Sequence, residues 1–185
     1  MPFIKVIEEV NAKGKLKEVY DNVVKSRGKL SNIMKIHSLN PEAMMNHMDL
    51  YKTIMFGKSN LPREVKEMIA VVVSASSKCQ YCIHHHAEAL NFYWKNRKKL
   101  NKFIDNYRNI ELPEKIKLLL EYAEILTLSP DQISQLHIDE IKKAGWEDED
   151  ILLLNLIISY FNFVNRIALG LGVEFTEEEV RGYKY

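Results

Sequence analysis

Cysteine is nearly absent from this chain. There are 2 cysteines in 185 residues, and both, Cys79 and Cys82, fall in a single C-x-x-C. So sparse a supply excludes a disulfide-stapled secreted scaffold. Net charge is equally scarce: 26 Lys and Arg stand against 25 Asp and Glu, a formal balance of +1. Composition therefore offers no case for nucleic acid or for an acidic membrane surface as partner. The longest apolar run, 151–160, is interrupted by Asn155 and Ser159 and falls short of a bilayer span. The first residues, Met1-Pro2-Phe3-Ile4-Lys5, show no charged segment leading into an apolar stretch and a small-residue cleavage site. The expectation is a cytoplasmic protein with no membrane partner, where a lone C-x-x-C is redox-active or metal-binding more often than structural.

What is present reads as one domain, 1–185. Hydrophobic residues make up 46% and charged residues 28%, ordinary values for a globular chain of a length that supports one core. Nearly every segment repeats at a helical period. Leu16, Val19, Tyr20, Val23 and Val24 share a face, with Gly28 as the stop. Ser31 and Asn32 cap a short helix running to Leu39. Asn40-Pro41 starts a helix that carries Met44, Met48, Tyr51 and Met55 and ends near Gly57. Leu61-Pro62 starts another, running to Ser76 or Ser77. After the cysteine helix come a basic segment over 95–102 and helices over 113–128, 134–144 and 148–169. No segment alternates as a strand does, so the fold class is all-α. The start at Leu61-Pro62-Arg63 resembles Leu112-Pro113-Glu114, a faint internal repeat in which only the first copy leads to cysteines.

The chain is organised around 78–90, which holds both cysteines together with His84, His85 and His86. On a helix, Cys79 and Cys82 at i,i+3 and Cys82 and His86 at i,i+4 share a face. A helix start supplies free N–H donors and partial positive charge, which favour thiolate. His86 is placed to take a thiol proton, and Glu67, earlier in an apolar helix, to orient His86 or pass the proton on. Zinc is the rival reading of these residues. His84 and His85 point to other faces than Cys82, however, and no second ligand pair sits at zinc-finger spacing. They read instead as surface or interface residues. Six of the seven methionines lie between Met34 and Met68, as core filling or as an adaptable pocket wall. Asn155, Asn162 and Arg166 form a polar stripe on the last long helix, read as an interface or a buried network.

Glu67, Cys79-x-x-Cys82 and His86 at these spacings resemble the core motif of the alkylhydroperoxidase D-like proteins. These belong to the carboxymuconolactone decarboxylase superfamily. The likeness is to the peroxidase-related branch, which carries a tyrosine within the C-x-x-C, here Tyr81, and ends in a helix like 160–174. It covers roughly residues 30–175. The resemblance implies an all-helical fold that assembles as a homo-oligomer, a dimer, trimer or hexamer. It also implies hydroperoxide reduction, with Cys82 attacking the peroxide, Cys79 resolving, and Glu67 and His86 relaying the proton. The reductant would be an external dithiol of thioredoxin-like or lipoyl type, and no metal, haem or flavin would be required. One departure bears on rate and substrate. Characterised peroxidases have a histidine where this chain has Tyr81, and a phenol does not shuttle protons at neutral pH as an imidazole does.

Overall fold

The computed structural model describes residues 1–183, and among these there are ten α-helices, three short 3-10 turns and no strand. The all-α expectation holds. Helix α1 spans Gly14–Arg27 and stops at Gly28, whose φ of 83° is open to glycine at little cost. Helix α2 is Asn32–Lys35. Helix α3, Pro41–Phe56, has proline in its first turn, and the Asn40 side chain accepts the Ala43 N–H at 3.0 Å. Then come α4 (Arg63–Ser76), α5 (Gln80–Trp94), α6 (Arg97–Asp105), α7 (Glu114–Leu128), α8 (Gln135–Lys143), α9 (Asp148–Gly170) and α10 (Glu177–Val180).

Two boundaries differ from the sequence expectation. Helix α2 ends at Lys35 rather than reaching Leu39. Pro41 biases Asn40 away from helical backbone, and the turn before it is held by the Ser38 hydroxyl accepting the Ile7 N–H at 3.0 Å. The basic segment read over 95–102 folds as helix α6 only from Arg97, because Lys95 closes α5 in the left-handed region, at φ 48°, and Asn96 caps the new helix through the Lys99 N–H.

Helix α4 is the centre of the bundle, buried at every position from Val65 to Ser74, and it packs against α5, α7 and α9. The two Leu-Pro starts of the faint repeat, α4 and α7, thus lie side by side. Two apolar clusters fill the interior. The larger unites α4, α5, α7 and α9, and a smaller one joins α1 to α3. Lys66, 2% exposed, sends its ammonium to the Ile54 and Gly57 carbonyls at 3.0 and 3.1 Å. These are acceptors that the end of α3 leaves unpaired, so the contact fastens α3 to α4. Helix α9 is, at 23 residues, long and apolar enough by length and composition to cross a membrane. Ten of its residues are nonetheless buried in the protein, and it serves here as a core helix.

Candidate active site

The turn between α4 and α5 brings the cysteines into place. Lys78 adopts φ 57°, and the Cys79 N–H closes onto the Ser74 carbonyl at 3.0 Å. The turn is anchored on α9 by Asn165, 0% exposed, whose amide donates to the Val73 carbonyl at 3.3 Å. The Ser74 hydroxyl meets its oxygen at 3.4 Å. Asn165 is the more deeply buried of two buried polar residues on α9, the other being Asp150. The stripe singled out in the sequence sits at the rim instead, with Asn155 bonded to the Tyr122 hydroxyl and Asn162 to Thr127, both at 3.0 Å, and Arg166 folded onto Asn162.

Cys79 caps α5 and Cys82 lies in its first turn. Both are free thiols, 1% and 2% exposed, with the sulfurs 2.9 Å apart. The hydrogen bond between the two sulfurs holds the Cys79 thiol below its ordinary range. The same bond, with burial, pushes Cys82 well above. Of the two sulfurs, Cys79 is thus the more readily ionised and Cys82 the one that holds its proton.

Glu67 is wholly buried on α4 and ionised. Burial alone would raise its carboxyl, but His86 and Arg63 outweigh that and hold it below the usual range. Its Oε2 accepts from His86 Nδ1 at 2.7 Å, and its Oε1 accepts from Arg63 Nε at 2.8 Å and from a second guanidinium nitrogen at 2.5 Å. Both guanidinium nitrogens thus converge on the one carboxylate oxygen that His86 leaves free. With Nδ1–H committed to Glu67, the Nε2 of neutral His86 carries the lone pair. The ring is packed edge-on against Phe161, with centroids 4.3 Å apart. Among the described residues no hydrogen bond joins His86 to either sulfur. The two meet through a shared cavity.

That cavity, about 100 Å³, lies on the seam between the two apolar clusters and is lined by Cys82 and His86 of α5. Its aromatic wall is Tyr51 of α3 with Tyr160 and Phe161 of α9, and Met34 and Met48 complete it, so two of the methionines serve as wall as well as core. Cys79 stands behind Cys82 and does not line it. Tyr51 draws two guanidiniums to its oxygen, Arg63 at 3.3 Å and Arg27 at 3.4 Å.

The remaining residues of the motif turn toward the C-terminal end. Tyr81 is buried, and burial followed by the Glu179 charge drives its hydroxyl far above the ordinary range. It accepts the Ile33 N–H at 3.0 Å and donates to Glu179 at 3.1 Å. His85, expected at the surface or an interface, is pinned instead. Its Nδ1 donates to the Tyr81 carbonyl at 2.9 Å, and its Nε2 stands 2.8 Å from Glu179 Oε2. That approach is off the line of a directed hydrogen bond. Burial raises the Glu179 carboxyl, and His85, with the Asn32 N–H and the Tyr183 hydroxyl, more than reverses this. Lys29 straps the same segment, donating to the carbonyls of Glu178, Glu179 and Arg181. His84 alone is at the surface, against Phe175.

Arg63 and Glu179 were not singled out from the sequence. The spacing of Arg63 to Glu67, i to i+4 on one helix, is a usable signal. Glu179 meets α5 across nearly a hundred residues, and no local pattern announces it.

The architecture is that of the alkylhydroperoxidase D-like, peroxidase-related proteins. A solved peroxidase-related protein from Ralstonia eutropha JMP134, described as an alkylhydroperoxidase AhpD core, superposes with a TM-score of 0.86 at 21% identity. The match covers 97% of this chain and 94% of that one. The debrominase Bmp8, solved in complex with 2,3,4-tribromopyrrole, superposes with a TM-score of 0.79 at 21% identity over 95% of this chain and 92% of its own. In sequence the chain is 26% identical over 144 residues to the uncharacterized protein YdfG of Bacillus subtilis (strain 168), 77% of this chain and 96% of that one. The profile of the PA26 p53-induced protein (sestrin) family matches residues 1–183, and the chain belongs to that family.

Proposed function

We propose that the protein is a cysteine-dependent hydroperoxidase in which Cys82 is the attacking thiol. The observation that carries this reading is the cavity itself. It exposes one sulfur, Cys82, beside an imidazole, His86, whose other nitrogen is held by a buried carboxylate. His86, through Nε2, takes the Cys82 proton while Cys79 keeps its own, and Glu67 stabilises the imidazolium that results. The Cys82 thiolate attacks the peroxide. The O–O bond breaks, an S–O bond forms, and the sulfur becomes a sulfenic acid while an alcohol leaves. Cys79, already 2.9 Å away, displaces water to give the disulfide, which an external dithiol reduces.

This chemistry asks for no metal, haem or flavin. Among the described residues no group of three or more His, Cys, Asp or Glu side chains is arranged to hold a metal ion. A reducing compartment suits a cycle that ends in two free thiols. The alternative is a general disulfide exchanger, and burial of both sulfurs in the reduced protein suits a small peroxide as oxidant better than a protein disulfide. The apolar stripe of α9 formed by Leu152, Leu156 and Phe163, each between 42% and 61% exposed, supports association with a second copy of the chain. Light scattering should give a mass above the single-chain 21.6 kDa.

The test is steady-state consumption of an alkyl hydroperoxide with thioredoxin-like or lipoyl dithiols as reductant. Turnover that Cys82→Ser abolishes is the expected result. Dithiol exchange with no peroxide consumed would return the protein to the exchanger reading. A halogenated pyrrole belongs in the same assay, since Bmp8 shares the fold and the cavity wall here is aromatic.

A further inference from the structure

Tyr160 sits on α9 with only 6% of its surface exposed. Its ring is fixed among His47, Tyr51 and Phe161, at centroid distances of 5.3, 6.0 and 5.1 Å. It lines the same cavity as Cys82 and His86. The other buried phenols are engaged. Tyr20 donates to the Ile7 carbonyl at 2.7 Å, Tyr81 and Tyr107 donate to carboxylates at 3.1 Å, and Tyr122 accepts from Asn155 at 3.0 Å. Among the described residues the Tyr160 hydroxyl has no hydrogen-bond partner. The ring is buried, but the hydroxyl oxygen keeps an accessible face, and the residue lines the cavity. Burial, then the charges of Tyr51 and Cys82, drive its ionisation well above the ordinary phenol range, so it stays protonated and within electrostatic reach of the sulfur. It is a donor kept for whatever enters beside Cys82.

We propose that Tyr160 is a catalytic residue that gives its hydroxyl proton to the leaving oxygen as Cys82 cleaves the O–O bond. The inference rests on the peroxidase reading and completes its proton balance. One proton passes from the thiol pair to His86. The thiolate displaces an alkoxide, and the Tyr160 proton makes it an alcohol. The resulting phenolate recovers a proton from the His86 imidazolium. Sulfur is oxidised by two electrons, the peroxide is reduced by two, and no further reactant is needed. An alkoxide is a strong base and a poor leaving group, so a donor placed there lowers the barrier where charge develops.

The role separates two oxidants by leaving group. With tert-butyl hydroperoxide an alkoxide must depart, whereas peracetic acid releases acetate, a weak base that needs no proton. In single turnover, read as thiol loss, Tyr160→Phe should slow the hydroperoxide reaction by at least about tenfold. It should leave the peracid reaction within about twofold of wild type. Alkylation of Cys82 by iodoacetamide should be unchanged, as should the melting temperature, since the hydroxyl bonds no protein group. Equal slowing with both oxidants, or no slowing with either, overturns the assignment alone. A sharp fall in melting temperature also overturns it, because the hydroxyl would then be serving the fold. If wild type reacts with neither oxidant, the peroxidase reading fails and takes this inference with it.

Discussion

His85 and His86 are neighbours in sequence, and each meets a buried glutamate, yet the two pairs are built for different ends. The His86–Glu67 pair joins adjacent core helices, α5 and α4, and Arg63 closes it from behind. One nitrogen of His86 is committed and the other is left for the cavity. The His85–Glu179 pair joins α5 to the C-terminal α10, and both nitrogens of His85 face acceptors, the Tyr81 carbonyl and the carboxylate. An imidazole with a spare lone pair can move a proton. One whose nitrogens are both occupied can only hold. We therefore assign the first pair to chemistry and the second to clamping the chain's end beside the cavity mouth, where Lys29 and Tyr183 join it.

The largest effect should come from breaking the first pair. Glu67→Gln and His86→Gln keep side-chain volume but each removes a proton-accepting group. Each should slow hydroperoxide reduction near neutral pH by about 10²–10⁴-fold. Because the two act as a unit, the double variant should be little slower than the worse single one. Raising the pH should recover much of the loss as hydroxide makes the thiolate. Fully additive losses would return Glu67 to a structural role.

Removing Arg63 comes next and is read as stability. Arg63→Met leaves the Glu67 charge buried with a single partner, a defect of about 3–5 kcal/mol in chemical denaturation. The Glu67 carboxyl is held below its unfolded value, so its contribution is present above the unfolded pKa and lost as pH falls through the folded one. Wild type should accordingly lose stability in acid, and Arg63→Met should lose less on the same titration. Equal acid sensitivity in both would contradict the pairing.

How much of this contrast could be read beforehand follows from range. Glu67, the cysteines and His86 were legible because three lie on one helix at i,i+3 and i,i+4, and the fourth stands out as a charge in an apolar run. Most helix boundaries were legible for a similar reason, since Asn40-Pro41, Gly28 and Gly57 act locally. His85 was misplaced because its partner arrives from α10. The acceptor of the Tyr81 hydroxyl, Glu179, arrives from the same distant helix. Asn165 was passed over for the Asn155–Asn162–Arg166 stripe because which face of α9 turns inward is decided by α4 and α7, not by α9.

Breaking the second pair should cost less and show a different signature. Glu179→Gln weakens the clamp, so alkylation of Cys82 should quicken several-fold while the pH dependence of that reaction keeps its midpoint. A shifted midpoint would mean that His85 takes part in the proton transfer. The smallest effect concerns His47, which burial and its neighbour His37 depress from 6.5 to about 3. Between those values the unfolded chain binds a proton that the folded one refuses, so this group lowers stability as pH falls from 6.5 toward 3. His47→Gln should flatten that part of the stability curve, and an unchanged slope would show that His47 titrates freely.

The central claim, that Cys82 meets the peroxide and Cys79 resolves it, is tested most directly by mass spectrometry of Cys79→Ser after one equivalent of alkyl hydroperoxide. The account predicts one added oxygen, trapped as a sulfenic acid on Cys82. Cys82→Ser under the same treatment should carry none. Oxygen on Cys79 in the Cys82→Ser variant, with Cys82 unmodified in Cys79→Ser, would reverse the assignment and contradict the account.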